Sequence, residues 1–374
     1  MAEDFAGPAG SSTPTPFQTP FDALIVGGGI AGAAIFHRLA RSGRRVLLIE
    51  KSRFAQGATG WSSGILNCYH ACEKLTALAC ASFPKFMDLE RQGGPAVRRS
   101  GALHFVSHAQ EKVTRERVQE MRGLVPVEWL AADEGARRFP HIRWNDLAGA
   151  VFEPTAGHID PAEVTRFWIA KARAKGQWAL EGVEARGVAQ DGGHVVGIYS
   201  SMGLLRAHRV ILCVGAWSRK LAGAGGLALP SNVFSRSVQC DALADTSFAQ
   251  EHPAFLDPAL GIFGRSDSPG MLRAGMALSD WNIDPDSPIP HSPQQQMAVR
   301  DVAGQRFQWG GPIRGAGGWR RFDAFTPDGE AVVAADEKIS GLYWATGFSG
   351  HGLKIAPAVA ARMEALAFDG TNGN

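Results

Sequence analysis

Residues 21–50 read FDALIVGGGIAGAAIFHRLARSGRRVLLIE, and their pattern decides the fold class. The apolar run Leu24-Ile25-Val26 breaks at glycines and resumes as a helical pattern ending near Gly43. A second apolar run, Val46 to Ile49, is then closed by Glu50. That order predicts strand, turn, helix and strand, a βαβ unit of about thirty residues. The turn spells Gly27-x-Gly29-x-x-Gly32. This spacing serves a tight turn, backbone approach to a pyrophosphate, and close packing of helix on strand. Ile30 and Ala31 open the helix, whose first N–H groups and partial positive charge serve the phosphates. Glu50, about twenty residues on, is placed to accept hydrogen bonds from a ribose. A glycine pattern alone is weak evidence, and a glycine-rich turn without a ligand is the alternative. The strand before it, the helix after it and the acid at the right distance together point to a dinucleotide site.

The bulk numbers bound the rest. A chain of 374 residues, 45% hydrophobic, can bury a large core and suggests two domains. With 38 basic and 36 acidic residues the net charge is +2, so no broad field favours nucleic acid or an acidic membrane surface. A small-molecule partner is expected. The five cysteines, Cys68, Cys72, Cys80, Cys213 and Cys240, fit reduced thiols in a cytoplasmic protein. The first three include no CxxC pair and no clustered histidine, so they are expected to be buried small hydrophobes and no metal is expected. Residues 1–20 are rich in Pro, Ser, Thr and Gly and lack the basic and apolar regions of a signal peptide; a disordered leader is expected. No run of about 18 successive apolar residues occurs, which argues against a membrane span.

The segment KSRFAQGATGWSSGIL, residues 51–66, indicates which dinucleotide. Its small residues Gly57, Ala58, Thr59, Gly60, Ser62, Ser63 and Gly64 would let the chain run closely along a long, extended ligand. Here the sequence resembles the flavin amine oxidoreductases of the D-amino-acid oxidase, glycine oxidase and sarcosine oxidase superfamily. In that superfamily E-[RK]…G-A-[ST]-G-x-S-x-G follows the βαβ unit, and Glu50-Lys51 begins the match. VFEPTAGHIDPAEVTRFWIAKARAKG, residues 151–176, resembles the segment G-G-x-[IV]-D-P, with Asp160 as helix N-cap and Pro161 at the first helical position. VVGIYSSMGLLRAHRVILCVGAWS, residues 195–218, reads as a strand pair and then a strand ending at Gly215-Ala216-Trp217-Ser218. Its counterpart passes near the flavin, which implicates Gly215 and Trp217. Val183 resembles the place where a strand backbone contacts adenine.

Residues 325–366, FTPDGEAVVAADEKISGLYWATGFSGHGLKIAPAVAARMEAL, give a turn at Pro327-Asp328-Gly329, a strand from Leu342 to Ala345, a second glycine turn and a helix to about Leu366. In the family, G-F-S-G-H-G-[FL]-K lies against the isoalloxazine and implicates Gly347, Gly350, His351, Gly352, Leu353 and Lys354. Its N–H groups and helix dipole stabilise negative charge on the reduced ring. His351 reads as positional or packing, with a catalytic base as the alternative.

The resemblance runs from about residue 22 to 368. It implies an α/β fold: an FAD-binding Rossmann-like domain of the glutathione-reductase type, and a discontinuous α+β substrate domain on a mixed or antiparallel sheet. Residues 21–90, 151–231 and 319–374 are assigned to the first, and 91–150 and 232–318, read as alternating strands and loops, to the second.

Departures from the family cluster in RRFDAFTPDG, residues 320–329. Asp323 stands where amino-acid oxidases place an arginine for the substrate carboxylate, which an aspartate repels. Arg321 stands where sarcosine-oxidase types carry the cysteine bonded to flavin, so FAD is expected to be non-covalent. Arg273 replaces a lysine that helps dioxygen accept electrons. Trp61 replaces the usual basic residue after Thr-Gly. Lys354 retains a lysine that helps bind a substrate carboxylate. In an extended segment Arg321, Asp323 and Phe325 would share one face. Asp323, Arg321, Lys354 and Arg273 are therefore the candidate reactive charges, with a structural ion pair as the alternative for each. The implied activity is oxidation of an amine or amino-acid-derived C–N bond to an imine, with O2 or another electron acceptor reoxidising the flavin. FAD chemistry on an alcohol or C–C bond, or a flavin-binding non-catalytic subunit, are the alternatives.

Overall fold

The computed structural model describes residues 17–230, 232–244, 252–308 and 314–370. The opening stretch folds as its pattern dictates: strand Ala23–Val26, helix Ile30–Arg41 and strand Val46–Glu50. Ala23–Val26 lies inside a six-stranded sheet in the order Val332–Ala335, Leu342–Thr346, Val210–Leu212, Ala23–Val26, Val46–Glu50, Trp178–Glu181. All pairings are parallel except the antiparallel edge strand Val332–Ala335. Its inner strands are apolar at successive positions because both faces are covered.

The period of two sorts the side chains between two cores. Ala23, Ile25, Val46 and Leu48 face helices Ile30–Arg41, Glu73–Met87, Pro161–Arg173 and Gly352–Glu364. Leu24, Val26, Leu47 and Ile49 face Val195, Ile198 and Leu205 of a three-stranded antiparallel sheet, Ala185–Asp191, His194–Ser200 and Gly203–Arg206.

An eight-stranded mixed sheet forms the second body, in the order Arg314–Phe325, Phe234–Ala244, Met271–Trp281, Ile262–Ser268, Ala254–Asp257, Ala102–Val106, Gly149–Glu153, Glu128–Ala131. Only Ala254–Asp257 with Ala102–Val106 is parallel. Helix Pro293–Arg306 covers this sheet through Val299 and Ala303.

Several expectations change. The boundaries expected at 150/151 and 318/319 fall inside strands Gly149–Glu153 and Arg314–Phe325, because the eight-stranded sheet needs both strands whole. The stretches read as strands and loops also hold helices Glu111–Met121, Ala132–Arg138 and Pro293–Arg306. Residues 1–16 of the expected leader lie outside the described residues, but Phe17 is buried between Phe21 and Trp178, at 5.9 and 5.6 Å between ring centroids. Of the three neighbouring cysteines only Cys68 is buried; Cys80 is half-buried and Cys72, before helix Glu73–Met87, is exposed. No described helix is long and apolar enough to cross a membrane.

Candidate active site

The glycine turn is built by close approach. Gly27 has φ +107°, and a Cβ there would meet the Cys213 carbonyl oxygen at 2.4 Å; one on Gly32 would meet the Gly27 oxygen at 2.0 Å. Gly32 is thus the contact that lets helix touch strand. The Glu50 carboxylate accepts from Gly28 N at 2.8 Å and Ser52 N at 2.9 Å, and Thr59 Oγ1 accepts from Ile30 N at 3.0 Å. Part of Glu50's capacity therefore holds the turn in shape.

A cavity of about 660 Å³ runs past this turn, across the carboxyl ends of the six-stranded sheet, where open α/β sheets take ligands. Glu50, Lys51 and Val183 line it near one sheet edge, and Gly27, Gly29, Ile30 and Ala31 line its middle. Ala58, Thr59 and Ser62 form a wall with Gly215 and Trp217, and Asp323, Gly350, Gly352 and Leu353 line the part beside strand Leu342–Thr346. The volume lies within the usual range of about 300–1,000 Å³ for cofactor sites. Glycines whose Cβ atoms would close the turn, a helix start and an acid beside them suit a long dinucleotide such as FAD.

Other expected residues stand behind the wall. Gly64 has φ +70°, and its Cβ would lie 2.0 Å from the Ile159 oxygen. Ser63 is buried, with its hydroxyl 3.4 Å from Cys240 Sγ. Gly347 has φ +67° and packs on Thr326. Gly32, His351, Lys354, Arg321 and Arg273 likewise do not line the cavity. Pro161, Arg186, Lys220, Pro285, Asp286, Phe322 and Phe348 do line it and were not anticipated as contacts. Pro161 and Phe348 fall inside motifs already noted, whereas no nucleotide motif marks the other five.

The segment Arg320–Gly329 resolves clearly. Strand Arg314–Phe325 is stitched to the second glycine turn: Ser349 N donates to Ala324 O at 2.9 Å and Thr326 N to Ser349 Oγ at 3.2 Å. Asp323 accepts from Ala324 N at 2.7 Å and Gly350 N at 3.1 Å. Burial pushes its carboxyl up to about 6, against the pull of those two N–H groups. Arg321 points instead to solvent, 4.2 Å over the Trp61 ring, donating to Arg320 O at 2.7 Å. The ion pair offered as the alternative for Asp323 and Arg321 therefore does not form.

Lys354 lies under the same turn, buried, with Nζ donating to Asn67 Oδ1 at 2.6 Å. Burial pulls it down to about 8, opposed by Glu153 and Cys68. Glu153 is itself buried and accepts from Cys68 N at 2.8 Å and Tyr69 N at 2.9 Å; burial raises its carboxyl. Around this pair stand His70, His104 and His351, all held neutral by burial first and by the Lys354 charge second, His104 at about 4 and His351 at about 3. The His70 and His351 rings are 5.0 Å apart. His70 Nε2, His104 Nδ1 and His351 Nδ1 are buried with no hydrogen-bond partner among the described residues. Sequence reasoning missed Asn67, His70, His104 and Glu153, since the fold alone brings them together.

Arg273 belongs to a separate group. Its Nη2 donates to Asp267 Oδ2 at 2.8 Å and its guanidinium lies 4.5 Å from the Trp319 ring centroid. Arg265 shares Asp267 and donates to Ser63 O, both at 2.7 Å. The four charges expected together thus occupy distinct settings: a cavity wall, the surface, a buried cluster and a sheet ion pair. Among the described residues no group of three or more His, Cys, Asp or Glu could hold a metal ion.

Comparison with known proteins agrees with this geometry. Residues 22–366 match the family described as "DAO: FAD dependent oxidoreductase". The chain belongs to this family. It is 27% identical over 382 residues to the 4-methylaminobutanoate oxidase (formaldehyde-forming) of Paenarthrobacter nicotinovorans, covering 96% of this chain and 45% of that protein. The chain thus spans less than half the length of that relative. It is 24% identical to the glycine oxidase of Bacillus subtilis (strain 168), covering 92% of each. Among solved structures, the L-proline dehydrogenase from P. horikoshii superposes with a TM-score of 0.81 at 22% identity, over 94% of each chain, a likeness of fold. The α/β architecture is the one expected.

Proposed function

We propose that this DAO-family oxidoreductase oxidises the C–N bond of an amine or amino-acid-derived substrate, R2CH–NHR′, to the imine. Bound FAD supplies the two-electron acceptor for the hydride. The chain must bind the amine, favour its neutral form, aim its C–H and exclude water.

The observation that carries the proposal is the cluster of three buried neutral imidazoles, His70, His104 and His351, at the second glycine turn. An ammonium must lose a proton before its carbon can surrender hydride, and a dry setting of uncharged imidazoles beside Lys354 favours the neutral amine, whose proton leaves to solvent. Asp323, ionised above about pH 6 and facing the cavity, attracts a cationic amine. The names of the relatives, an oxidase of a methylamino acid and one of glycine, support the same class.

FAD would be held without a covalent bond, since Arg321 offers no thiol and lies over Trp61. Gly27, Gly29, Ile30 and Ala31 would hold its pyrophosphate, Glu50, Lys51 and Val183 its nucleoside, and Ser62, Gly350, Gly352 and Leu353 its ring. Reoxidation falls to O2 or another acceptor; the pairing of Arg273 with Asp267 favours the latter, because charge spent on a carboxylate stabilises superoxide less. Five free thiols support a cytoplasmic setting.

An anaerobic screen of primary, N-methyl, cyclic and polyamine substrates, read by loss of the oxidised-flavin absorbance, tests the proposal. Bleaching by members of the amine set is expected. Bleaching only by alcohols or by C–C substrates, or by none, sinks it.

A further inference from the structure

Residues 282–291 leave the eight-stranded sheet and return to it. Asn282 N donates to Ser235 O at 2.9 Å, and Ser235 Oγ donates to Ile283 O. At the far end His291 Nε2 meets Asp241 Oδ1 at 2.5 Å. Both anchors lie on strand Phe234–Ala244. Between them Asp284 folds the chain back, accepting from Asp286 N at 3.1 Å through its side chain and from Ser287 N at 3.0 Å through its carbonyl.

The tip of this loop touches the other body of the molecule. Pro285 and Asp286 line the cavity beside Lys51, Trp217 and Lys220. Asp286 Oδ1 accepts from Lys51 Nζ at 2.9 Å and Trp217 Nε1 at 2.7 Å, while Oδ2 takes Lys220 Nζ, which also reaches Asp284 at 3.4 Å. The Lys51 ammonium lies 4.0 Å over the Trp217 ring. Lys51 follows the ribose-side acid Glu50, and Lys220 lies in helix Ser218–Gly225. One carboxylate thus joins both flanks of the cavity's nucleotide end.

We propose that Asp284–Pro285–Asp286 is a clasp that retains the cofactor: FAD leaves only when Asp286 parts from Lys51, Trp217 and Lys220. The clasp sets how fast the dinucleotide exchanges and is independent of which bond the flavin oxidises. The paired side chains are 35 to 54% exposed, so salt screens their attraction.

Release of FAD from the diluted holoenzyme, followed by the rise in free-flavin fluorescence, reads the clasp directly. Raising NaCl from about 0.05 to about 0.5 M should speed release from the native protein several-fold. Asp286→Asn should release FAD about 3–10-fold faster at low salt and lose most of the salt response. Lys220→Met should fall between, and the double variant should release no faster than Asp286→Asn alone, because both break one contact. If Asp286→Asn does not retain FAD through purification, Lys220→Met decides by the same two readings. Native release rates with a native salt response in the single variants overturn the proposal, whatever the amine screen returns.

Discussion

Asp323 spends its two oxygens on backbone N–H groups of Ala324 and Gly350 while its side chain faces the cavity. Its folded value of about 6 exceeds the ordinary carboxylate value of 3.8, so between those limits the folded protein binds the proton more tightly than the unfolded chain. Stability should therefore fall as pH rises from about 4 to about 6 and stay level above. Asp323→Asn removes that group's slope and keeps one oxygen as acceptor. Melting temperatures of native and variant holoenzyme across pH 4–8 should diverge in the variant's favour through this window. Parallel curves would mean that Asp323 titrates as an exposed carboxyl. Above pH 6 the same variant should raise KM for a cationic amine by a factor worth about 1–3 kcal/mol; an unchanged KM would separate Asp323 from substrate binding.

Helices show how local signals and tertiary contacts divide the work. Helix Pro161–Arg173 carries its start in its sequence: Asp160 Oδ1 accepts from Ala162 N at 2.7 Å and Glu163 N at 3.0 Å, with Pro161 first in the helix. Asp160→Ala should cost about 1 kcal/mol, read from the urea midpoint, and about half a unit less in Asp160→Asn, which keeps an acceptor oxygen. The βαβ unit and the second glycine turn were legible for the same reason, since glycines, a cap and an apolar run fall within a few residues of each other. Helix Glu111–Met121, EKVTRERVQEM, was not, because only Thr114, Val118 and Met121 are buried and its remaining positions are largely charged. The site divides similarly. Gly27, Glu50 and Gly350 sit in contiguous motifs, whereas His70, His104 and Glu153 meet Lys354 only after two sheets pack together. Arg321 shows the limit of strand alternation: the period of two gives a face, but Trp61 decides where the guanidinium goes.

At the scale of the whole molecule, the eight-stranded sheet must stay rigid, because it supplies both the strand that carries Asp323 and the loop whose tip holds Asp286. One buried cation braces it. Arg306 is 1% exposed, donates to Asp257 Oδ2 at 2.6 Å, forks onto Asp146 at 2.8 and 2.9 Å, and reaches Arg143 O at 2.6 Å. It ties helix Pro293–Arg306 to the end of strand Ala254–Asp257 and to the 143–146 segment. Asp257 is equally buried, and its other oxygen accepts from Leu260 N at 3.1 Å. Arg306→Met leaves that carboxylate in the core without its counter-charge, which should cost about 3–5 kcal/mol. Adding Asp257→Asn removes the stranded charge and keeps the Leu260 acceptor, so the double variant should recover part of the loss. Urea midpoints of the two single variants and the double test this, with FAD content at low urea as the control. Arg306 does not line the cavity, so FAD content should match the native protein even where the midpoint falls. Additive losses in the double variant would show that Arg306 and Asp257 act independently, and the brace would then lie elsewhere in the sheet.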